Sequence, residues 1–305
     1  MNSQVRVGFI GFGEVASLYA AAIAPHAVEV IGYDALFDQP GGVETLRRRD
    51  RTGKIRFVAL ADLVREADYI FSTVTTSSAE IVARLAAKHL VAGKTYVDLN
   101  AASPELKRRL AAIVTRTGAH FVEGAILGAV GVTGARTRIL VGDPAGPAVA
   151  EALARLGLHT VFHSAEIGRA SMFKTLRSIF SKGLEALLIE YLVAGRRAGL
   201  QDELWREAAG LFSQNAFERV AANWVRTHAG AHDRRYHEME QVTAEVRALG
   251  LEPVMTAATE RFFGRSRTLD WQGLPAAADA DDVVAWVEAR LREQRPIPSK
   301  PDSLP

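Results

Sequence analysis

The chain has no cysteine among its 305 residues. That absence removes a disulfide framework, thiolate metal sites and thiol nucleophiles together. It also lacks any run of the ~18 uncharged apolar residues that a membrane-spanning helix requires. Excess charge of one sign is missing as well: 37 Lys and Arg stand against 35 Asp and Glu, a formal net charge of +2. Nucleic-acid binding calls for a concentrated basic stripe. The one dense run, Arg47-Arg48-Arg49-Asp50-Arg51, is short, carries an acid and reads as a solvated helix end. The N-terminus enters a strand pattern at Val5 without a charged-then-apolar leader, so a cytoplasmic location is expected. Neither nucleic acid nor membrane is expected as a partner.

What is present is the composition of a globular protein, 48% hydrophobic and 24% charged, at a length that favours two domains. Val5–Ile10, Val28–Tyr33, Tyr69–Ser72 and Thr95–Asp98 read as strands, separated by Ala- and Leu-rich helical stretches such as 78–90. That alternation implies βαβ crossovers and a mostly parallel sheet. His120–Ala125 and Thr137–Val141 read as two further strands, joined by a Gly-rich loop, that extend it. From Ser171 to Ala198 a 3.6-residue rhythm without proline predicts one long helix, and 201–292 continues as helices broken at Gly250, Pro253 and around Gly273. The expected fold class is α/β: a Rossmann-type doubly wound sheet, then an all-α C-terminal domain joined to it by a long interdomain helix. The expected boundaries are 1–166 for the dinucleotide-binding domain, 167–294 for a substrate and dimerisation domain, and 295–305 for a disordered tail with four prolines.

Gly11-Phe12-Gly13-Glu14-Val15-Ala16 is a G-x-G-x-x-A element placed directly after the first strand and opening a helix. Gly11 permits the tight turn, Gly13 lets a pyrophosphate approach the backbone, and Ala16 allows close helix–strand packing. The helix N-terminus then offers its N–H groups to the anion. Asp34 ends the second strand, near the ~20-residue spacing of an acid that binds the adenosine ribose hydroxyls. A carboxylate there repels a 2′-phosphate, which favours NAD. Arginines 47–51 would offset that repulsion if their helix folds back, so NADP is not excluded. Thr73, Val74, Thr75 and Asn100, at the ends of later strands, complete the candidate cofactor set. A glycine turn with a capping Asp is the purely structural alternative.

Ile167-Gly168-Arg169-Ala170-Ser171-Met172-Phe173-Lys174 resembles the second motif of the β-hydroxyacid dehydrogenases, relatives of 6-phosphogluconate and 3-hydroxyisobutyrate dehydrogenase. In that family a glycine turn precedes a helix carrying the catalytic lysine. The resemblance extends over nearly the whole chain. Asp98-Leu99-Asn100-Ala101-Ala102-Ser103-Pro104 is similar to the family's D-x-S-T-x-x-P loop near the nicotinamide. Glu123-Gly124-Ala125-Ile126-Leu127-Gly128-Ala129 is similar to its substrate loop D-A-P-V-S-G-G. The likeness is to a branch with a divergent helical C-terminal domain, marked here by Arg177-Ser178 and Lys182-Gly183-Leu184-Glu185-Ala186. Three departures stand out: Leu127 replaces the substrate-loop serine, Ser178 replaces the asparagine four residues after the lysine, and Asn100-Ala101 replaces the Ser-Thr pair.

On a helical wheel Lys174, Arg177, Ser178, Ser181, Lys182 and Glu185 share one stripe, with apolar residues elsewhere. A helix this apolar is expected to be mostly buried, its polar stripe lining an interdomain cleft. The alternative is a solvated stripe. The resemblance implies hydride transfer between nicotinamide and a small hydroxy or oxo acid, with Lys174 as general acid/base. Its pKa would fall through burial and the neighbouring Arg177 and Lys182. Ser178 would orient the substrate hydroxyl, and Gly124, Ala125, Ile126 and Arg177 would line the substrate site. Glu190, on the apolar face, would need a partner in the core or across a dimer.

Residues 227–239 are dense in titratable groups. His228 and His232 stand four apart, but no carboxylate completes a ligand set, so no metal is expected. His232 and Arg235 are candidates for binding a substrate carboxylate; a charged exposed helix is the alternative. Two other readings of the whole stay open: an imine reductase of the same architecture, and a dinucleotide-binding sensor without catalysis. The apolar helix points to a homodimer.

Overall fold

The computed structural model describes residues 5–293. The expectation of a disordered tail therefore lies outside the described residues. The chain forms two compact units that divide between Ile179 and Phe180, inside one long helix.

The first unit carries eight strands: β1 (Arg6–Ile10), β2 (Glu29–Tyr33), β3 (Arg56–Phe57), β4 (Tyr69–Ser72), β5 (Thr95–Asp98), β6 (His120–Leu127), β7 (Arg138–Gly142) and β8 (Thr160–Ser164). Between them run α1 (Glu14–Ile23), α2 (Gly42–Arg49), α3 (Leu60–Glu66), α4 (Ala79–Ala87), α5 (Pro104–Thr115), α6 (Val130–Thr133) and α7 (Ala148–Arg155). The sheet order is β3-β2-β1-β4-β5-β6-β7-β8. All neighbours are parallel except β6 and β7, which run antiparallel. This is the Rossmann-type doubly wound sheet that the alternating pattern implied.

The central strands are continuous apolar runs because helices cover both faces of the sheet. Val7, Phe9, Phe71 and Val97 pack on one side, and Ile10, Ile70, Tyr96 and Phe121 on the other. Two strands were not anticipated, β3 and β8. β3 is two residues long, and β8 is an edge strand with a half-exposed pattern and little apolar signal.

The long helix α8 (Arg169–Ala198) begins in the first unit and ends in the second, where α9 (Gln201–Gln214), α10 (Phe217–Arg226), α11 (His228–Ala248), α12 (Val254–Arg267) and α13 (Ala280–Glu293) follow. Here the structure corrects an expectation. α8 is not mostly buried: Leu176, Ile179, Phe180 and Ile189 are all more than half exposed. Apolar composition predicts burial only where some other surface is available to cover it, and this chain leaves much of α8 bare. Glu190 has its partner within its own unit. It accepts hydrogen bonds from the backbone N–H groups of Met255 and Thr256 (both 2.8 Å) and from the Thr256 hydroxyl (2.6 Å), capping α12.

Candidate active site

Sheet register places the candidate residues along one edge. Ile10 pairs with Tyr33 on one side and Ser72 on the other, Ser72 with Asp98, and Asp98 with Glu123. The turns leaving β1, β2, β4 and β5 therefore emerge side by side at the carboxyl ends of the strands, where ligands of such sheets bind.

Gly11 holds φ +85°, and a Cβ there would lie 2.7 Å from both the Thr73 carbonyl oxygen and Val74 Cγ1. Glycine is required on both counts. Thr73 closes the turn by donating its hydroxyl to the Gly11 carbonyl at 2.7 Å. Phe12 is fully buried against Phe57, and its N–H donates to Asp34 Oδ2 at 2.8 Å. Asp34 Oδ1 accepts from Leu36 N at 3.0 Å. Asp34 thus ties the end of β2 to the glycine turn, with its carboxylate beside that turn. Thr75 is exposed, within hydrogen-bond reach of Ser77 and Ser78.

The residues present fit a dinucleotide. A Cβ on Gly13 would meet nothing within 4 Å, so the backbone there faces open space. The first turn of α1, Glu14 and Val15 included, begins at Gly13 with no side-chain cap, leaving N–H groups for an anion. Asn100 donates to Ser72 Oγ (2.9 Å) and Asp98 Oδ1 (2.5 Å), while its own buried Oδ1 has no partner. A buried acceptor without a donor is costly unless a ligand supplies one. The basic run does fold back: Arg49 donates to the Phe12 carbonyl at 3.2 Å, and Arg48, Arg49 and Arg51 line a hollow with Gly13, Glu14 and Ser17.

Lys174 lies in the first unit, near the start of α8. Burial, followed by the charge of Lys107, holds its ammonium below the usual lysine range. The expected sources of that repulsion, Arg177 and Lys182, are not the cause. Both are solvent-exposed, and Lys182 pairs with Glu185 at 3.0 Å. Water screens such charges far better than it screens an interior one. Ser178 stands one turn after Lys174 and donates its hydroxyl to the Lys174 carbonyl at 3.1 Å.

Gly124, Ala125 and Ile126 all lie in β6, paired with Val141, Leu140 and Ile139, and the strand expected to end at Ala125 runs on to Leu127. Their side chains are core: Ala125 packs with Leu140 and Ala170, and a Cβ on Gly124 would strike Leu99 at 2.3 Å. The strand runs past Ala125 because its partners on β7, Leu140 and Ile139, are themselves apolar.

His232 and Arg235 belong to the second unit, where both are engaged locally. Arg235 donates to the Thr227 hydroxyl (2.7 Å) and the Trp224 carbonyl (3.4 Å). His232 stacks on Trp271 at 5.2 Å, and His228 contacts Ser266 Oγ at 2.9 Å. Helix α11 runs unbroken through Gly230.

Sequence reasoning passed over one group altogether. Lys107 of α5 is fully buried and ion-paired with Asp98 at 2.5 Å, beside the equally buried Glu123. A signal was present: Leu106, Leu110 and Val114 form the buried face of α5, and Lys107 shares it. A lysine on an apolar helix face announces an interior partner.

Comparison with known proteins fits this geometry. Residues 6–160 match the model of the NAD binding domain of 6-phosphogluconate dehydrogenase. The chain belongs to the β-hydroxyacid dehydrogenase superfamily. Residues 196–266 match a domain of unknown function, DUF1932, which marks the divergent helical branch. A conserved protein of unknown function, whose structure is described as similar to 3-hydroxyacid dehydrogenases, is 31% identical. The match covers 86% of this chain and 97% of that one, with a TM-score of 0.58. The 2-(hydroxymethyl)glutarate dehydrogenase of Eubacterium barkeri is 24% identical over 72% of this chain and 73% of its own length. An imine reductase from Aspergillus terreus, solved with NADPH4 and dibenz[c,e]azepine, shares the fold at 14% identity. Its TM-score is 0.70, with 87% of this chain and 94% of that chain covered.

Proposed function

We propose that this β-hydroxyacid dehydrogenase relative is an NAD(P)-dependent oxidoreductase acting on a small hydroxy or oxo acid, with Lys174 as its general acid/base. The observation that carries the reading is Lys174 itself, half-buried at the start of α8 with its ammonium destabilised by burial and by Lys107. A lysine so placed can exchange a proton nearer neutral pH than a surface lysine can. When bound, the nicotinamide ring supplies the two-electron chemistry. The chain's own residues hold the cofactor and move the proton. Gly11, Gly13 and the first turn of α1 receive the pyrophosphate; Asp34 beside them suits unphosphorylated ribose hydroxyls, and the folded-back Arg48, Arg49 and Arg51 would receive a 2′-phosphate. Asn100 Oδ1 is an acceptor for an amide N–H. Lys174 Nζ takes the proton of the substrate hydroxyl in oxidation and returns it in reduction. Ser178, one turn on, orients that hydroxyl, and the exposed Arg177 is the candidate partner of a substrate carboxylate.

The test is cofactor-dependent turnover on a panel of short hydroxy acids, oxo acids and cyclic imines, with NAD compared with NADP. Lys174→Ala should lower kcat by about 10²–10⁴ while leaving cofactor affinity unchanged. Oxidation by the unaltered protein should rise with pH, because the base must be unprotonated. Undiminished turnover in Lys174→Ala would remove the lysine from the mechanism. Turnover confined to imines and indifferent to that change would make the protein an imine reductase, and tight NADH binding without any turnover would make it a sensor.

The same proposal includes a homodimer formed through the second unit, supported by the exposed Leu187, Ile189 and Val193 of α8. Sedimentation as a monomer at micromolar concentration would contradict it.

A further inference from the structure

NAD and NADP differ in one group, the 2′-phosphate of the adenosine ribose, and the surroundings of Asp34 discriminate between them. Both oxygens of Asp34 are engaged: Oδ2 accepts from the Phe12 N–H at 2.8 Å and Oδ1 from the Leu36 N–H at 3.0 Å. The carboxylate ties β2 to the glycine turn whether or not a ribose is present. Beside that turn the end of α2 is pinned twice. Ser17 of α1 donates its hydroxyl to the Arg49 carbonyl, and Arg49 Nη1 donates to the Phe12 carbonyl at 3.2 Å. The basic run is therefore more than a solvated helix end. It walls a hollow of about 620 Å³, in which Arg48, Arg49 and Arg51 join Gly13, Glu14 and Ser17.

Three guanidiniums gathered on one hollow repel one another unless anions offset them. Elsewhere on this unit arginines find carboxylates, as Arg56 does with Glu29 (2.8 Å) and Arg84 with Glu80 (2.7 Å). Among the described residues Arg48, Arg49 and Arg51 form no ion pair. The neighbouring acids are committed elsewhere. Asp50 accepts from Thr52 N and Oγ1 (both 2.8 Å) and from Ile55 N (2.9 Å). Glu14 lines the hollow, but its carboxylate rests against α6: a Cβ on Gly131 would lie 2.6 Å from Glu14 Oε1. A cation suits the last turn of a helix, yet α2 ends at Arg49 and Arg51 stands beyond it.

We propose that this hollow selects NADP(H) over NAD(H), with Arg48, Arg49 and Arg51 receiving the 2′-phosphate. The inference rests on the dinucleotide reading of the glycine turn and requires nothing of Lys174. A phosphate monoester carries about −1.5 to −2 charge at neutral pH, and its oxygens suit the paired N–H groups of a guanidinium. A ribose hydroxyl carries no charge and leaves the three cations uncompensated. Asp34 repels the same phosphate, but one carboxylate held by two N–H donors stands against three guanidiniums.

The experiment reads binding without turnover. The intact protein is titrated into NADPH and into NADH, and each dissociation constant is taken from nicotinamide fluorescence across a salt series. At low salt NADPH should bind at least about tenfold tighter than NADH, and the ratio should shrink as salt rises. Equal affinities, or a preference for NADH, would overturn the inference while leaving the dinucleotide reading intact. Binding of neither would overturn both. The double change Arg48→Gln/Arg51→Gln leaves the Ser17–Arg49 and Arg49–Phe12 ties in place. It should cost NADPH about tenfold or more in affinity while changing NADH by less than about twofold. Arg49→Gln, measured beside it, should act in the same direction. Equal losses for the two dinucleotides would assign the arginines to the shared pyrophosphate and overturn the inference. Arg116→Gln, at the end of α5, removes a cation outside the hollow and should leave the ratio unchanged. If it narrowed the NADPH preference as far, the field of the whole protein would be responsible and the inference would fall.

Discussion

In the first unit Phe9, Phe12, Phe71 and Tyr96 are all 0% exposed, whereas in the second Trp205, Phe212, Phe217 and Trp224 are between 40% and 53% exposed. The contrast extends to the rest of the apolar residues. Among the described residues, the buried hydrophobics of the second unit are Val246, Leu269, Ala278 and Val283, while the first has two extended clusters on the faces of its sheet. Charge is distributed the opposite way. The sheet unit carries a fully buried ion pair, Lys107–Asp98, and the helical unit's pairs, such as Lys182–Glu185 and Arg234–Glu238, are largely in water. One unit closes its core with its own chain and can seat ionised groups inside it. The other presents apolar surface that a single copy does not cover.

The largest expected effect tests whether the first core is closed. Phe121 is 2% exposed and stacks on Tyr96 at 6.3 Å. Phe121→Ala should cost about 3–5 kcal/mol in denaturant unfolding, from lost burial plus the cavity left behind. A loss below about 1 kcal/mol would mean that the sheet unit relaxes as freely as the helical one.

The two units also differed in how far their sequence could be read. β1, β4 and β5 were legible because strands buried on both faces are continuous apolar runs, and the glycine turn was legible because its spacing is local. α8 was legible as a helix but not in its exposure: periodicity reports which face is apolar, not whether anything covers it. β3 and β8 escaped because edge strands bury little. The Asp98–Lys107–Glu123 cluster escaped for a different reason. Its members come from β5, α5 and β6, and only sheet register brings them together. The extension of β6 beyond Ala125 escaped as well, because strand pairing is likewise nonlocal.

An intermediate effect is expected at Glu190, where the helical unit does bury a polar contact. Burial pushes its carboxyl up, but hydrogen bonds from Thr256, Met255 and Val254 more than reverse this and leave it below the usual range. Glu190→Ala removes the cap of α12 and should cost about 1–2 kcal/mol at neutral pH. A lowered carboxyl pKa contributes stability that is present above the unfolded value and lost as pH falls through the folded one. The difference between the unaltered and Glu190→Ala proteins should therefore shrink as pH drops below about 4.3. A difference independent of pH would show that packing around Glu190, not its charge, supports α12.

The smallest effect sharpens the comparison most. Ile189 is 59% exposed on α8. In a single copy, Ile189→Ser removes little buried area, so at high dilution the loss should stay within about 0.5 kcal/mol. If a second copy covers this face, the loss must grow with protein concentration, because association adds stability by mass action only to the species that binds. Thermal unfolding of both proteins across a concentration series separates the cases. A Tm for the unaltered protein that climbs with concentration, and a flatter dependence in Ile189→Ser, would make the exposed helix an interface between copies. Parallel, concentration-independent curves would mean that the helical unit is stable with its apolar face in water, and the contrast between the two units would then be one of surface composition alone.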